Sequence, residues 1–140
     1  MAITIEAFGI EAVQKKFTSM KQFNKVRQAV EQSVLIVERD AIHLCPVDTG
    51  NLRNSIHFHM DEGASGKVYT NCEYAPYVEF GTGVRGQATA VQNGAKDLHL
   101  SYRQDWAGQI AQPFLYPALE QNKTKIRALI KNAVNKDSNV

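Results

Sequence analysis

The stretch Cys45-Pro46-Val47-Asp48-Thr49-Gly50-Asn51-Leu52-Arg53-Asn54-Ser55-Ile56 decides the fold. It is a joint where a long helix stops, the backbone turns and a strand begins. Pro46 cannot continue a helix, because it lacks an N–H and its ring strains the preceding turn. Asp48 and Thr49 carry side-chain oxygens that can cap the exposed N–H groups of a following short helical turn. Gly50 tolerates backbone angles that other residues avoid. Leu52 is expected to point into a core, with Arg53 and Asn54 left in water.

Upstream of the joint, Phe23, Val26, Val30, Val34, Val37, Ala41 and Leu44 recur at steps of three and four, which predicts a long amphipathic helix ended by Pro46. Lys25, Gln28, Gln32, Glu38 and Arg39 fall on its solvated side. Ile10, Val13, Phe17 and Met20 suggest a shorter helix before it. Ile3 and Ile5 alternate with polar residues and predict a strand over residues 2–8. Downstream, Ile56, Phe58 and Met60 alternate with His57, His59 and Asp61, then Val68, Thr70 and Cys72 with Lys67, Tyr69 and Asn71. These are two strands of a hairpin joined across the Asp61–Gly66 loop.

A second joint is Tyr74-Ala75-Pro76-Tyr77-Val78-Glu79-Phe80-Gly81-Thr82-Gly83, expected to form a helical turn against the sheet. A third, Gln112-Pro113-Phe114-Leu115-Tyr116-Pro117-Ala118-Leu119, opens a C-terminal helix over residues 113–136, since proline is tolerated in a first helical turn. Its apolar stripe is Leu119, Ile126, Leu129, Ala133 and Val134. Residues 84–110 show no clear period and read as part of a long extended loop, residues 81–112, although Leu98, Leu100 and Tyr102 alternate with His99 and Ser101 as in a third strand. The fold class is therefore α+β: a long N-terminal helix and a C-terminal helix packed on a small, mainly antiparallel sheet. The 140 residues fit one domain, comprising an N-terminal segment (1–20), helix plus hairpin (21–80), the loop and the last helix.

Taken in order, the three joints resemble a phage protein family. The pattern Pro46-Val47-Asp48-Thr49-Gly50-x-Leu52-Arg53-x-Ser55, then Tyr74-Ala75-x-Tyr77-Val78-Glu79-x-Gly81-Thr82, then Pro113-Phe114-Leu115-x-Pro117-Ala118-Leu119 is similar to small tail-completion or neck proteins of long-tailed bacteriophages and prophages. The likeness covers residues 20 to 135 and is poor before Met20 and between Val84 and Ile110. It implies a structural virion protein at the head–tail junction that forms a ring helping to join the tail to the DNA-filled head. The implied ring is sixfold by preference and twelvefold otherwise. Implied neighbours are head-completion, tail-terminator or tail-tube proteins, with transient contact to DNA in the channel and none to membrane. The candidates for contact between subunits are Arg85, Tyr102, Trp106 and Tyr116, because tyrosine and tryptophan favour interfaces.

Chemistry is suggested elsewhere and mostly refused. Asp48-Thr49-Gly50 spells the aspartic-protease tripeptide, which a dimer could complete with a second carboxylate. Its flanks, Pro46 and Asn51-Leu52-Arg53, instead fit a cap and turn. His57 and His59 share a strand face, yet zinc wants three or four ligands and His43 and His99 do not cluster with them. Gly81-Thr82-Gly83-Val84-Arg85-Gly86 lacks the ending of a phosphate loop and reads as a flexible turn. No catalytic residue, cofactor or metal is assigned. The net charge of +2 is small for a dedicated nucleic-acid binder. A small nucleic-acid-binding module from a phage morphogenesis cluster is the alternative function. It draws on His57 and His59 and on two basic groups, Lys15, Lys16, Lys21, Lys25 and Arg27, and Lys123, Lys125, Arg127, Lys131 and Lys136. Cys45 and Cys72, outside any Cys-x-x-Cys pair, read as small buried hydrophobes.

Overall fold

A computed structural model describes residues 1–6, 20–47, 50–92 and 100–135. The sequence expectations at Ile10 to Phe17, Asp48, Thr49, Leu98, His99, Lys15, Lys16 and Lys136 lie outside the described residues. The elements are β1 (Ala2–Glu6), α1 (Met20–Leu44), α2 (Asn51–Asn54), β2 (Ile56–Met60), β3 (Ser65–Thr70), α3 (Ala75–Phe80), α4 (Gly83–Gln92) and α5 (Leu115–Asn135).

Helix α1 follows its apolar stripe. Val26, Val30, Val34, Val37 and Ala41 are fully buried, and Cys45 continues the stripe just past the helix end. Each valine lowers helix propensity by roughly 0.5 kcal/mol relative to alanine. Its burial gains about 2 kcal/mol, so packing decides the conformation. Leu44, expected on the stripe, is instead exposed.

The strands form one antiparallel sheet in the order β1-β3-β2. Ile3 stands opposite Val68, and Phe58 opposite the same Val68. That row faces the helices. The alternate row, with Ala2 and His57 opposite Tyr69 and Thr4 and His59 opposite Lys67, faces away. The third strand is thus the N-terminal one. Of the strand anticipated at Leu98, Leu100 and Tyr102, the described residues 100–102 carry no sheet pairing.

Helix α5 runs along α1 and completes the core. Its buried residues are Leu115, Ala118, Asn122, Ile126 and Ala133, whereas Leu119, Leu129 and Val134 are half-buried. The true stripe was hidden because Asn122, a polar residue, occupies its middle. Its amide donates to Asp40 Oδ2 at 2.7 Å and to the Ala118 carbonyl at 2.7 Å, which bolts α5 to α1. The Asn122 hydrogen bond, with help from Arg39, holds the Asp40 carboxyl below its ordinary range against the opposing effect of burial.

One expectation is overturned. Residues 81–112 are not an uninterrupted extended loop, for Gly83–Gln92 is helix α4. Its inner surface includes Gly83 and Gly86, both buried. Where glycine supplies the packed surface, that part of a helix gives no apolar side chain to read.

Candidate functional site

The three joints meet in space. At the first, Leu52 is buried in the core and Asn54 is exposed. Arg53 does not stay in water as expected. It is half-buried, and its Nη2 donates to the Cys45 carbonyl at 3.1 Å. A cation there meets the unpaired carbonyls at the end of α1. The residue preceding α2 is Gly50, with a φ of 71° and no side-chain cap hydrogen bond. Ser55 and Thr70 close the joint onto the sheet. The Cys72 N–H donates to Thr70 Oγ1 at 3.1 Å, the two hydroxyls lie 2.6 Å apart, and Ser55 Oγ donates to the Leu52 carbonyl at 2.6 Å. Burial pushes the Cys45 thiol above its ordinary value, so the residue acts as a small hydrophobe.

The second and third joints are linked by Glu79. This residue is only 2 % exposed. Its Oε2 accepts the N–H groups of Phe114 at 2.8 Å and Leu115 at 3.0 Å, and its Oε1 accepts that of Tyr116 at 2.9 Å. An α-helix leaves four N–H groups without intrahelical partners at its start. For α5 those belong to Phe114, Leu115, Tyr116 and residue 117, and residue 117 is proline, which has none. Glu79 and Pro117 therefore settle the whole helix start between them. A negative group also suits the positive end of the helix dipole. Sequence reasoning singled out Glu79 without a role. A carboxylate that caps a helix some 35 positions away leaves no local signal.

Between these joints the chain crosses itself. Thr82 N–H donates to the Gln109 carbonyl and Val84 N–H to the Trp106 carbonyl, each at 3.1 Å, and Gln112 N–H donates to the Val78 carbonyl at 2.8 Å. Gln109 N–H returns to Thr82 Oγ1 at 2.8 Å. Gly83 (φ 63°) and Gly108 (φ 84°) sit at the crossing. A Cβ on Gly83 would lie 2.5 Å from the Trp106 carbonyl oxygen, and one on Gly108 would collide with the Thr82 carbonyl. The Gly81 to Gly86 run is thus a packed crossing, where a flexible turn was expected.

The crossing and the first joint wall an open groove of about 810 Å³. Pro46, Leu52, Tyr74, Tyr77 and Val78 line one part and Ile110 another. Two of its apolar side chains are open to solvent, Ile110 at 73 % and Tyr74 at 42 % exposed; Val47, 64 % exposed, follows the lining residue Pro46 in the chain. Arg85, exposed, stands at the groove wall. Trp106 and Tyr116 are also exposed, although neither lines the groove. Tyr102 is half-buried. Its ring meets Tyr77 edge-on at 5.6 Å, and its buried hydroxyl has no hydrogen-bond partner. Burial, reinforced by Tyr77, raises its phenol above the usual value. Phe80 and Phe114 are core residues, and Pro113 is exposed just ahead of α5.

Two residues of the basic groups are engaged within the chain. Arg27 Nη1 donates to the carbonyls of Asp61 and Gly63, which ties α1 to the hairpin loop. Lys123 pairs with Glu120 at 2.7 Å. Among the described residues, no three His, Cys, Asp or Glu side chains converge to hold a metal, and no helix is long and apolar enough to cross a membrane.

A family model described as "Bacteriophage HK97-gp10, putative tail-component" matches residues 11–81, half of the chain. The match spans α1 through α3 and ends at Gly81, beside the Glu79 cap. No curated protein and no solved structure matches the chain.

Proposed function

The chain belongs to the HK97-gp10-like family of bacteriophage tail components, and from that premise we propose that it acts at the head–tail junction as one subunit of a ring. The ring is sixfold, joins the finished tail to the DNA-filled head, and meets a head-completion, tail-terminator or tail-tube protein on either side. Its work is assembly, with the joints as a rigid frame.

The observation that carries this reading is the apolar groove. Ile110 and Tyr74 present side chains to water at the place where three joints lock together. Monomeric proteins rarely leave contiguous apolar surface of this kind uncovered. A second set of exposed rings, Trp106 and Tyr116, lies outside the groove. Two unlike apolar surfaces on one chain suit a head-to-tail contact, and such contacts close into rings when the rotation allows. The test is deletion of the gene in its parent phage, followed by electron microscopy of lysates. Filled heads and complete but unattached tails are expected. Normal infectious particles from the deletion would rule the role out.

A further inference from the structure

Among the described residues, the helices cover one side of the sheet and leave the other open. On that open side, Tyr69 is flanked by His57 on the neighbouring strand, with ring centroids 6.2 Å apart, and by the Lys67 ammonium 6.0 Å from its ring. His59 stands opposite Lys67 in the register, and both histidines are exposed. A shallow pocket of about 490 Å³ opens here, walled by His59, Lys67, Tyr69 and Asn71. Two acidic residues of the sheet, Glu6 and Asp61, stand at the Ser65 end. Asp61 already faces His59 at 3.5 Å, and the Tyr69 end carries no carboxylate in its register row.

We propose that this open sheet face binds single-stranded nucleic acid, with a base stacked on Tyr69 and an adjacent phosphate held by Lys67. Each part follows from what the face offers. An aromatic ring on a flat sheet gives any base a stacking partner. The Lys67 ammonium next to the ring can meet a phosphate adjacent to the stacked base, and the exposed His59 imidazole opposite it in the register offers a further polar contact. The Lys67 stem is flexible, so its ammonium can leave the ring face for a phosphate as a base takes its place. The polar character of the row, with Thr4 and Asn71 beside the ring, suits a wet, hydrogen-bonding ligand better than an apolar protein surface. Sheet-face binding is independent of the junction reading and of the groove.

The experiment is fluorescence anisotropy of the full chain with a labelled deoxythymidine dodecamer, repeated over a range of salt concentrations. Wild type is expected to bind with affinity that falls as salt rises. Tyr69→Ala should weaken binding about tenfold, the scale of one lost base stack. Tyr69→Phe should keep it within about twofold, because the stack survives without the hydroxyl. Lys67→Ala should flatten the salt dependence, and Lys123→Ala on α5 should change nothing. Circular dichroism of each variant verifies the fold. Absence of wild-type binding, equal binding of a duplex of the same length, or a folded Tyr69→Ala that binds as wild type would each overturn the proposal.

Discussion

Glu79 shows what a single side chain can organise. A fully desolvated carboxylate is costly unless its oxygens are satisfied, and here three backbone N–H groups satisfy it while it caps α5. Removing it would orphan those three donors at a buried helix start. Glu79→Ala is therefore expected to destabilise the protein by about 2–4 kcal/mol, read as a lower midpoint in urea unfolding. Glu79→Gln keeps an acceptor for part of the set but turns an amide NH₂ toward another donor, so it should lose about half as much. A Glu79→Ala variant as stable as wild type would show that the cap contributes nothing.

At the scale of elements, the crossing of residues 106–112 over α3 and α4 explains why glycine recurs there. Gly108 has both a positive φ and a neighbouring carbonyl where a Cβ would go. Gly108→Ala should release this crossing while leaving α1 and the sheet paired. Hydrogen exchange should then rise at Thr82, Val84 and Gln112, whose N–H groups bond across it, and stay slow in α1. Exchange unchanged at those three amides would contradict the assignment. The same crossing marks the limit of sequence reading. The α1 stripe, the hairpin and the helix after Pro113 were legible because buried valines and alternating residues repeat along the chain. Helix α4 was not, since glycines form part of its packed surface. The α5 stripe was blurred by Asn122, whose partner Asp40 is on another helix. Arg53 was expected in water because its partner, the Cys45 carbonyl, is a backbone group that no side-chain pattern shows. The groove was illegible for the same reason: it is assembled from residues of three joints that only the tertiary fold brings together.

For the whole molecule, the joints are proposed as a frame and the groove as a contact between successive copies. The chain belongs to a family of tail components, and the exposed side chains of Ile110 and Tyr74 line the surface proposed to be covered. The most direct measurement is a symmetry-averaged electron cryomicroscopy map of the head–tail junction in the parent phage. The account expects six copies of this chain in a ring, with Ile110 and the groove around it buried against the next copy. A ring in which that groove faces solvent, or a junction without this chain, would contradict it.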